Sequence, residues 1–257
     1  MKTKLTVVKI GGNVIDDAET LKHVLQEFSQ LDSPKVLIHG GGKIASELSL
    51  KMGLQPKMVD GRRITDADTL KVVTMTYGGL VNKNIVAQLQ AFRCNAIGLT
   101  GADANVIPAQ KRVTKEIDYG YVGDFEVDNI DVERLSFFID GGLTPIFCAL
   151  THDQQGNLLN TNADTLASGI ATTLAKFYET KLIYCFEKPG VLLDADDDNT
   201  LIRELGYLHY QQLKDDGIIH TGMIPKLDNA FAARRHGIEV GIKHALDLNK
   251  PAGTILL

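Results

Sequence analysis

The sequence has little that would suit a secreted, metal-bound or membrane protein. Its three cysteines, Cys94, Cys148 and Cys185, lack CxxC or His/Cys ligand spacing, which argues against a zinc site and predicts buried, reduced thiols in a cytoplasmic protein. No apolar run approaches the roughly 20 residues that a membrane helix needs. The N-terminus passes almost directly into the strand-like segment Leu5–Ile10, without the basic, apolar and cleavage regions of a signal peptide.

Positive charge is also sparse. The net charge is -5 at pH 7, and no basic cluster is longer than the pairs Lys111-Arg112 and Arg234-Arg235. A nucleic acid or an anionic membrane is therefore not expected as the main partner. A small anionic ligand held by a few placed cations is fully compatible with this composition.

Several motifs of nucleotide-binding and hydrolytic enzymes are absent. The chain has no Walker GxxxxGKS/T sequence, no HRD or DFG motif, no GxGxxG fingerprint, no GxSxG elbow and no HExxH. The acidic run Asp194–Asp198 does not fit a calcium-binding EF-hand loop, because Asn199 and Leu205 stand where glycine and glutamate are required. A solvated acidic loop is predicted there instead.

Two strand-turn-helix units open the chain. Leu5–Ile10 ends at Gly11-Gly12, and Val36–Ile38 leads through His39 into the triplet Gly40–Gly42. Because the carboxyl ends of parallel strands meet at one edge of an open sheet, both glycine turns are predicted to face one cleft. No linker or solenoid repeat interrupts the pattern, which indicates one α/β domain with two lobes around a single sheet.

The segments that follow predict further helices. Ile44, Leu48 and Met52 have the spacing of the buried face of the second helix. Thr65 is predicted to be the N-cap of a longer helix that reaches about Phe92.

Two of these features favour an anion. The triplet Gly40–Gly42 leaves backbone amides unshielded at a helix N-terminus, where the N–H groups and the positive end of the dipole attract negative charge. The alternative is a tight turn that only lets the helix pack on its sheet. Lys226 follows Pro225 at the start of a later helix, where a cation opposes the dipole unless an anion is bound. Its alternative is a solvated surface lysine.

A third polar segment contains Asn160, Asn162 and Asp164 at alternate positions, directly before a helical pattern. Taken alone, Asn162 or Asp164 could simply cap that helix. Together with Lys9 before the glycine pair, the glycine triplet and Lys226, the set suits phosphoryl transfer. Catalysis of that reaction is mostly positioning and charge neutralisation.

Five motifs resemble, in order and spacing, those of the acetylglutamate kinases of the amino-acid kinase family. They are Lys9-Ile10-Gly11-Gly12, His39-Gly40-Gly41-Gly42, Gly61-Arg62-Arg63-Ile64-Thr65, Asn160-Thr161-Asn162-Ala163-Asp164 and Gly222-Met223-Ile224-Pro225-Lys226. The resemblance covers essentially the whole chain, and its last two motifs are the most specific. It implies an α/β fold, a three-layer αβα sandwich around a mainly parallel open sheet, in one domain of residues 1–257. An N-terminal lobe of about 1–175 would take the acyl amino acid and dimerise, and a C-terminal lobe of about 176–257 would take ATP.

The resemblance also implies roles for individual residues. Lys9 and Lys226 would stabilise the transferring phosphoryl group from two sides, and Asp164 would orient both lysines. Arg63 and Asn160 would hold the substrate's α-carboxylate, which a guanidinium matches bidentately. The implied substrate-binding residues are Gly41, Gly42, Arg63, Asn160 and Asn162. The implied nucleotide-binding residues are Gly11, Gly12, Glu187, Lys188, Gly190, Val191, Leu192 and His220.

The implied activity is ATP-dependent phosphorylation of the side-chain carboxylate of N-acetyl-L-glutamate, a step of arginine biosynthesis. That carboxylate has a pKa of about 4.3, so it is already an anion at neutral pH and needs no general base. Mg²⁺ is expected to arrive with the nucleotide, and no protein metal site is predicted. The chain departs from the family at Phe186–Gly190, where a Thr/Ser-Asp-Val segment is usual, so the resemblance supports the adenosine contacts less than the phosphate contacts.

Alternatives remain open. The same chemistry could act on another N-acyl substrate, such as N-succinyl-L-glutamate or an N-blocked aminoadipate. A catalytically inactive sensor is a further alternative, against which the retention of Lys9, Asp164 and Lys226 argues. Arginine-inhibited members carry an extra N-terminal helix, whereas eight residues precede Lys9 here, so a homodimer without arginine feedback is predicted.

Overall fold

The computed structural model describes residues 2–59, 62–219 and 222–257. Its strands are β1 (Lys4–Ile10), β2 (Lys35–His39), β3 (Met58–Val59), β4 (Arg62–Arg63), β5 (Ala96–Leu99), β6 (Gln110–Lys111), β7 (Gly123–Asp124), β8 (Thr144–Cys148), β9 (Leu150–His152), β10 (Leu158–Asn160), β11 (Glu179–Phe186), β12 (Val191–Leu192), β13 (Leu201–Ile202), β14 (Glu204–Leu205), β15 (Glu239–His244) and β16 (Thr254–Leu256). Its α-helices are α1 (Gly12–Asp16), α2 (Ala18–Ser29), α3 (Gly42–Lys51), α4 (Ala67–Val73), α5 (Asn82–Ala91), α6 (Val132–Asp140), α7 (Ala163–Leu174), α8 (Tyr207–Asp215) and α9 (Ile224–Arg235).

The central sheet has, among the described residues, eight strands in the order β14-β16-β15-β11-β1-β2-β8-β5. Neighbouring strands pair in parallel, except for the antiparallel pair of β15 with β16. β1 lies in the middle, with Lys9 opposite Tyr184 of β11 on one side and Ile38 of β2 on the other. The predicted mainly parallel sheet is confirmed.

Both faces of this sheet are buried. Val7 and Val36 belong to the core that packs under α7 and α9, whereas Val8 and Leu37 belong to the core under α2 and α5. A strand that is covered on both faces must be apolar at nearly every position, which explains the unbroken apolar runs in the sequence. The result is the predicted three-layer αβα sandwich.

The two glycine turns lie at the same edge of the sheet, as predicted. Ile10 at the end of β1 is opposite His39 at the end of β2, and each strand leads directly into glycines and then a helix. The turns Gly11-Gly12 and Gly40–Gly42 therefore lie side by side at the carboxyl edge of the sheet, where open sheets bind their ligands.

Several local predictions need correction. Asp66, not Thr65, caps α4, because its carboxylate accepts a hydrogen bond from the Thr69 amide whereas Thr65 pairs with a neighbouring loop. The long helix to about Phe92 exists, but its middle, Thr74–Val81, is π-helical. Met52 is 54% exposed rather than part of the buried face of α3.

The three cysteines are buried and free, in agreement with the sequence prediction of buried thiols. In the described part of the chain, the search for a helix long and apolar enough to cross a membrane gave none.

Candidate active site

A buried ion pair lies at the carboxyl end of β1. The Lys9 ammonium Nζ is 2.6 Å from Oδ1 of Asp164, and both side chains are about nine-tenths buried. Lys9 points to the face of the sheet that α7 covers, and Asp164 belongs to the first turn of α7. The Lys9 ammonium and the Asp164 carboxylate therefore form an ion pair between the sheet and α7. Removal of either partner would leave an uncompensated buried charge.

The start of α7 is fixed by its own sequence. Asn162 is the N-cap, and its side-chain oxygen accepts a hydrogen bond from the Thr165 amide at 2.9 Å. Tyr184 of β11 donates its hydroxyl to the backbone oxygen of Asp164 at 3.2 Å. Burial, and secondarily the Asp164 charge, raises the pKa of Tyr184 well above 10, so this hydroxyl stays a donor.

The glycine triplet leads into α3 with an unusual backbone. Gly41 is the N-cap of α3 and has a φ of 151°, a conformation that side-chain-bearing residues rarely adopt. Within the described residues no side chain caps this helix, so its first amides are available to a ligand. The anion site predicted at Gly40–Gly42 therefore has the required geometry.

Arg63 and Asn160 are held beside the triplet by hydrogen bonds. Nη2 of Arg63 donates to the Gly42 oxygen and to Oγ of Ser46, each at 2.7 Å. The amide of Asn160 donates to Thr65 Oγ1 at 3.0 Å, and that hydroxyl donates to the Arg63 oxygen at 3.1 Å. Both side chains are thus held in place by hydrogen bonds within the protein.

Two clefts open at this edge of the sheet. The first, the triplet cleft, has a volume of about 390 Å³, and its wall contains all five predicted substrate-binding residues, Gly41, Gly42, Arg63, Asn160 and Asn162. The second, the β12 cleft, has a volume of about 530 Å³, and its wall contains the predicted nucleotide-binding residues Gly11, Gly12, Glu187, Lys188, Gly190, Val191 and Leu192. His220, the remaining predicted residue, lies outside the described residues.

The two clefts meet at three residues. Lys9, Gly12 and Lys226 line both of them. Lys226 is partly buried in the first turn of α9, after Pro225, and its Nζ donates to the Gly222 oxygen at 3.2 Å. Two lysines therefore lie between the triplet cleft, which contains Arg63, and the β12 cleft.

A sequence model of the amino acid kinase family matches residues 4–244. The chain belongs to the amino acid kinase family. It is 51% identical to an acetylglutamate kinase of Bacteroides fragilis over 255 residues, covering 99% of this chain and 97% of the relative. It is 50% identical to an acetylglutamate kinase of Parabacteroides distasonis, covering 98% of each chain. Among solved structures, smu.665 of Streptococcus mutans UA159 is 27% identical, with a TM-score of 0.82 and 98% of each chain covered.

The predicted membership of this family and the predicted fold are therefore confirmed. Because the family consists of kinases, this amino acid kinase uses ATP. The part played by each site residue stays a prediction.

Sequence reasoning missed several residues of both clefts in this amino acid kinase. The triplet cleft is also lined by Met58, Arg62, Tyr77, Arg112, Val122, Ala149 and Thr161. The β12 cleft is also lined by Asn13, Phe186, Ala195, Asp196, Ile218, Ile219 and Met223. Most of them belong to loops, hairpins or the π-helical segment, where no local pattern indicates which way a side chain points. The acidic run is exposed as predicted, yet Asp196 also forms part of a wall.

One further ion pair links the two glycine turns of this kinase. Lys43 of α3 places its Nζ 3.7 Å from Oδ2 of Asp16 in α1. Burial raises the pKa of Asp16, and the Lys43 charge acts in the opposite direction. The end of α1 and the first turn of α3 are thereby tied together at the cleft edge.

Proposed function

We propose that this amino acid kinase transfers the γ-phosphoryl group of ATP to the side-chain carboxylate of N-acetyl-L-glutamate, a step of arginine biosynthesis. The observation that carries the proposal is the buried Lys9–Asp164 pair at the junction of two clefts. A cation fixed between a nucleotide and an acceptor can neutralise the charge that develops on a transferring phosphoryl group.

The triplet cleft is the proposed substrate site. Its arginine, Arg63, suits the α-carboxylate, since it is buried and already oriented by Gly42 and Ser46. The amides of Gly41 and Gly42 would donate to the reacting carboxylate, and Asn160 and Asn162 complete the polar wall. The N-terminal lobe of about 1–175 supplies these residues and the C-terminal lobe of about 176–257 supplies most of the β12 cleft.

The β12 cleft is the proposed ATP site. Gly11 and Gly12 would lie against the phosphates, with Glu187, Lys188, Gly190, Val191 and Leu192 around the nucleoside. Among the described residues no group of three or more His, Cys, Asp or Glu side chains could hold a metal ion. We propose that Mg²⁺ enters with ATP and is bound mainly by the nucleotide's own phosphates.

The reaction needs no catalytic base. An oxygen of the ionised side-chain carboxylate forms a bond to the γ-phosphorus, while the bond from that phosphorus to the β,γ-bridging oxygen breaks and ADP leaves. Lys9 and Lys226 approach from the shared wall and offset the negative charge on the phosphoryl oxygens, and Asp164 orients Lys9. The absence of a nucleophile–histidine pair in the sequence agrees with this chemistry.

A second candidate substrate carries another N-acyl group. Arg62 and Arg112 line the triplet cleft in addition to Arg63, and Arg112 is already paired with Asp124. Arg62 would therefore suit an acyl group that carries its own carboxylate, as in N-succinyl-L-glutamate.

A hydroxamate assay tests both candidates, because hydroxylamine traps an acyl phosphate. The wild-type enzyme is incubated with ATP, Mg²⁺ and a panel of N-acetyl-, N-succinyl- and unblocked glutamate and an N-blocked aminoadipate. Product with N-acetyl-L-glutamate is expected. Turnover confined to another N-acyl compound would reject the acetyl assignment alone, and no turnover of any compound would favour a non-catalytic sensor.

A homodimer and a cytoplasmic location are also part of the proposal. Apolar side chains that are about half exposed occur around α3 and the π-helical segment, among them Met52, Met75 and Leu80. Such a surface favours contact with a second copy of the chain. Light scattering should give a mass of two chains, and a mass of one chain would contradict the dimer.

A further inference from the structure

The π-helical segment Thr74–Val81 changes which residues of the long helix face the sheet. The Asn82 amide donates to the Tyr77 oxygen five residues earlier, which is the π-helical bond. Within the segment Thr76, Tyr77 and Val81 are buried and Leu80 is 53% exposed, and Asn82, directly after the segment, is buried again. The wider turn therefore puts Tyr77 and Asn82, five residues apart, on one side of the helix.

The Tyr77 side chain packs on the glycine triplet, and the Asn82 side chain contacts His39, the residue before the triplet. Nδ2 of Asn82 lies 3.0 Å from Nε2 of His39, and His39 Nδ1 lies 2.8 Å from the Gly40 oxygen. Nδ2 of Asn82 also donates to the Ile146 oxygen at 2.9 Å. Since the amide donates to Nε2, the His39 proton is on Nδ1, from which it donates to the Gly40 oxygen.

Within the triplet, the Tyr77 ring packs on Gly41. A Cβ atom added to Gly41 would lie 3.0 Å from Cδ1 and 3.2 Å from Cε1 of this ring. Gly41 thus meets two independent restrictions, its φ of 151° and the ring of Tyr77. The Tyr77 ring therefore restrains the backbone at Gly41, at the start of α3.

The Tyr77 hydroxyl extends from this contact to Arg63. A Cβ atom added to Gly42 would lie 3.7 Å from the hydroxyl oxygen and 3.9 Å from Nη2 of Arg63, so both groups border the same small volume. Tyr77 is 6% exposed and lines the triplet cleft. Burial raises the pKa of Tyr77, and the Arg63 guanidinium acts in the opposite direction.

We propose that Tyr77 is a positioning residue for the acyl amino acid. Its ring fixes the direction of the Gly41 and Gly42 amides, and its hydroxyl helps to fix the plane of the Arg63 guanidinium. This inference rests on the proposed function, because it assigns to the triplet cleft the substrate whose carboxylates those groups receive. The π-helical turn is then part of the substrate site, since an α-helical turn would not present Tyr77 and Asn82 together.

Two variants of Tyr77 separate the parts of this role. Tyr77→Phe removes only the hydroxyl, and Tyr77→Leu also removes the ring. The matched control is Tyr178→Phe, because Tyr178 is similarly buried and donates its hydroxyl to Asp140 at 2.8 Å, away from both clefts. KM for N-acetyl-L-glutamate, KM for ATP, kcat and the melting temperature are measured for each.

Tyr77→Phe is expected to raise the KM for N-acetyl-L-glutamate about tenfold, because the buried Arg63 guanidinium loses a polar neighbour, with the KM for ATP unchanged. Tyr77→Leu should raise it further and lower kcat. Tyr178→Phe should lower the melting temperature as much as Tyr77→Phe does and change neither KM.

A merely structural role for Tyr77 would give a different pattern. Equal changes in both KM values, or an unchanged KM for N-acetyl-L-glutamate in Tyr77→Phe while the wild-type enzyme is active, would overturn the inference and leave the proposed function intact. A wild-type enzyme that turns over no N-acyl glutamate would reject the proposed function itself.

As a second measurement, Gly41→Ala is combined with Tyr77→Leu. The added methyl group meets the ring in the wild-type background but not in Tyr77→Leu, so the loss of activity should be clearly less than additive. Additive losses would show that the ring does not restrain Gly41.

Discussion

The triplet cleft is walled by buried groups that hold one another, whereas the β12 cleft is walled in large part by exposed side chains. Arg63 and Asn160 are each less than a tenth exposed and are fixed by hydrogen bonds to Gly42, Ser46 and Thr65. By contrast, the side chain of Lys188 is 41% exposed, and its partner Asp198 is 65% exposed.

This difference indicates where each cleft obtains its binding free energy. A side chain that is already fixed loses little conformational entropy when a ligand binds, whereas an exposed lysine or glutamate must be ordered at that moment. The triplet cleft is therefore preorganised for one small, charged ligand. The β12 cleft depends more on its glycine backbone and apolar wall than on any one side chain.

Lys9 lines both clefts, so its replacement should lower kcat more than any change that affects only one of them. Lys9→Met is expected to lower kcat about 10³-fold, because the transferring phosphoryl group loses a fixed cation and Asp164 keeps a buried charge without its partner. The measurement is single-turnover kinetics. Lys181→Met is the control, since Lys181 pairs with Glu239 on the surface at 2.6 Å, and its kcat should stay within about twofold. Retention of a tenth of the activity by Lys9→Met would contradict the assignment.

The buried support of the triplet cleft should make stability depend on pH. Burial lowers the pKa of His39 to about 4 from its ordinary value of 6.5. Between these two values the unfolded chain binds a proton that the folded chain does not, so the free energy of unfolding falls as the pH drops through this window. The loss from this one group is roughly 3 kcal/mol.

Denaturant titrations of His39→Gln across that window should therefore show a shallower decline of the free energy of unfolding than the wild-type protein shows. His209→Gln, which changes an exposed histidine, is the control and should follow the wild-type curve. Parallel curves for His39→Gln and the wild-type protein would contradict the assigned protonation state.

A pair of variants compares the two walls directly. Arg63→Lys should raise the KM for the acyl amino acid about 30-fold, because lysine cannot keep the oriented guanidinium that is proposed to bind the α-carboxylate. The KM for ATP should stay unchanged. Lys188→Met should raise only the KM for ATP, by about threefold, since an exposed ion pair contributes little. Steady-state kinetics with each substrate varied in turn measures both. Equal effects of the two variants would show that the clefts do not differ in preorganisation.

The sequence predicted those parts of the fold and site that depend on local patterns. Strand runs ending in glycines, Asn162 as a helix cap and Pro225 before Lys226 each follow from one short segment. The meeting of Lys9 with Asp164 is expected from the resemblance to the family and not from a local pattern, because Asp164 lies in the first turn of α7, far from Lys9 in the sequence.

Other features depend on contacts between segments that are far apart in the sequence. Asp66 rather than Thr65 is the N-cap of α4, because the backbone of Thr65 pairs with the loop at Gly120. The π-helical turn at Tyr77 contains Gly78-Gly79, a pair that weakens an α-helix, but no local pattern predicts the π-helical bond from Asn82 to Tyr77. The direction of Arg112 or Asp196 is likewise set by a hairpin or loop that propensity does not define.

The position of β1 between β2 and β11 has a consequence for synthesis of the chain. β1 and β2 leave the ribosome early and can pair at once, but the other edge of β1 stays open until β11 emerges much later. The nascent chain therefore carries an apolar strand with an unpaired edge through most of its translation, which is the condition under which chaperones are needed. A chain truncated before Glu179 should aggregate, and sedimentation of such a fragment would measure this liability.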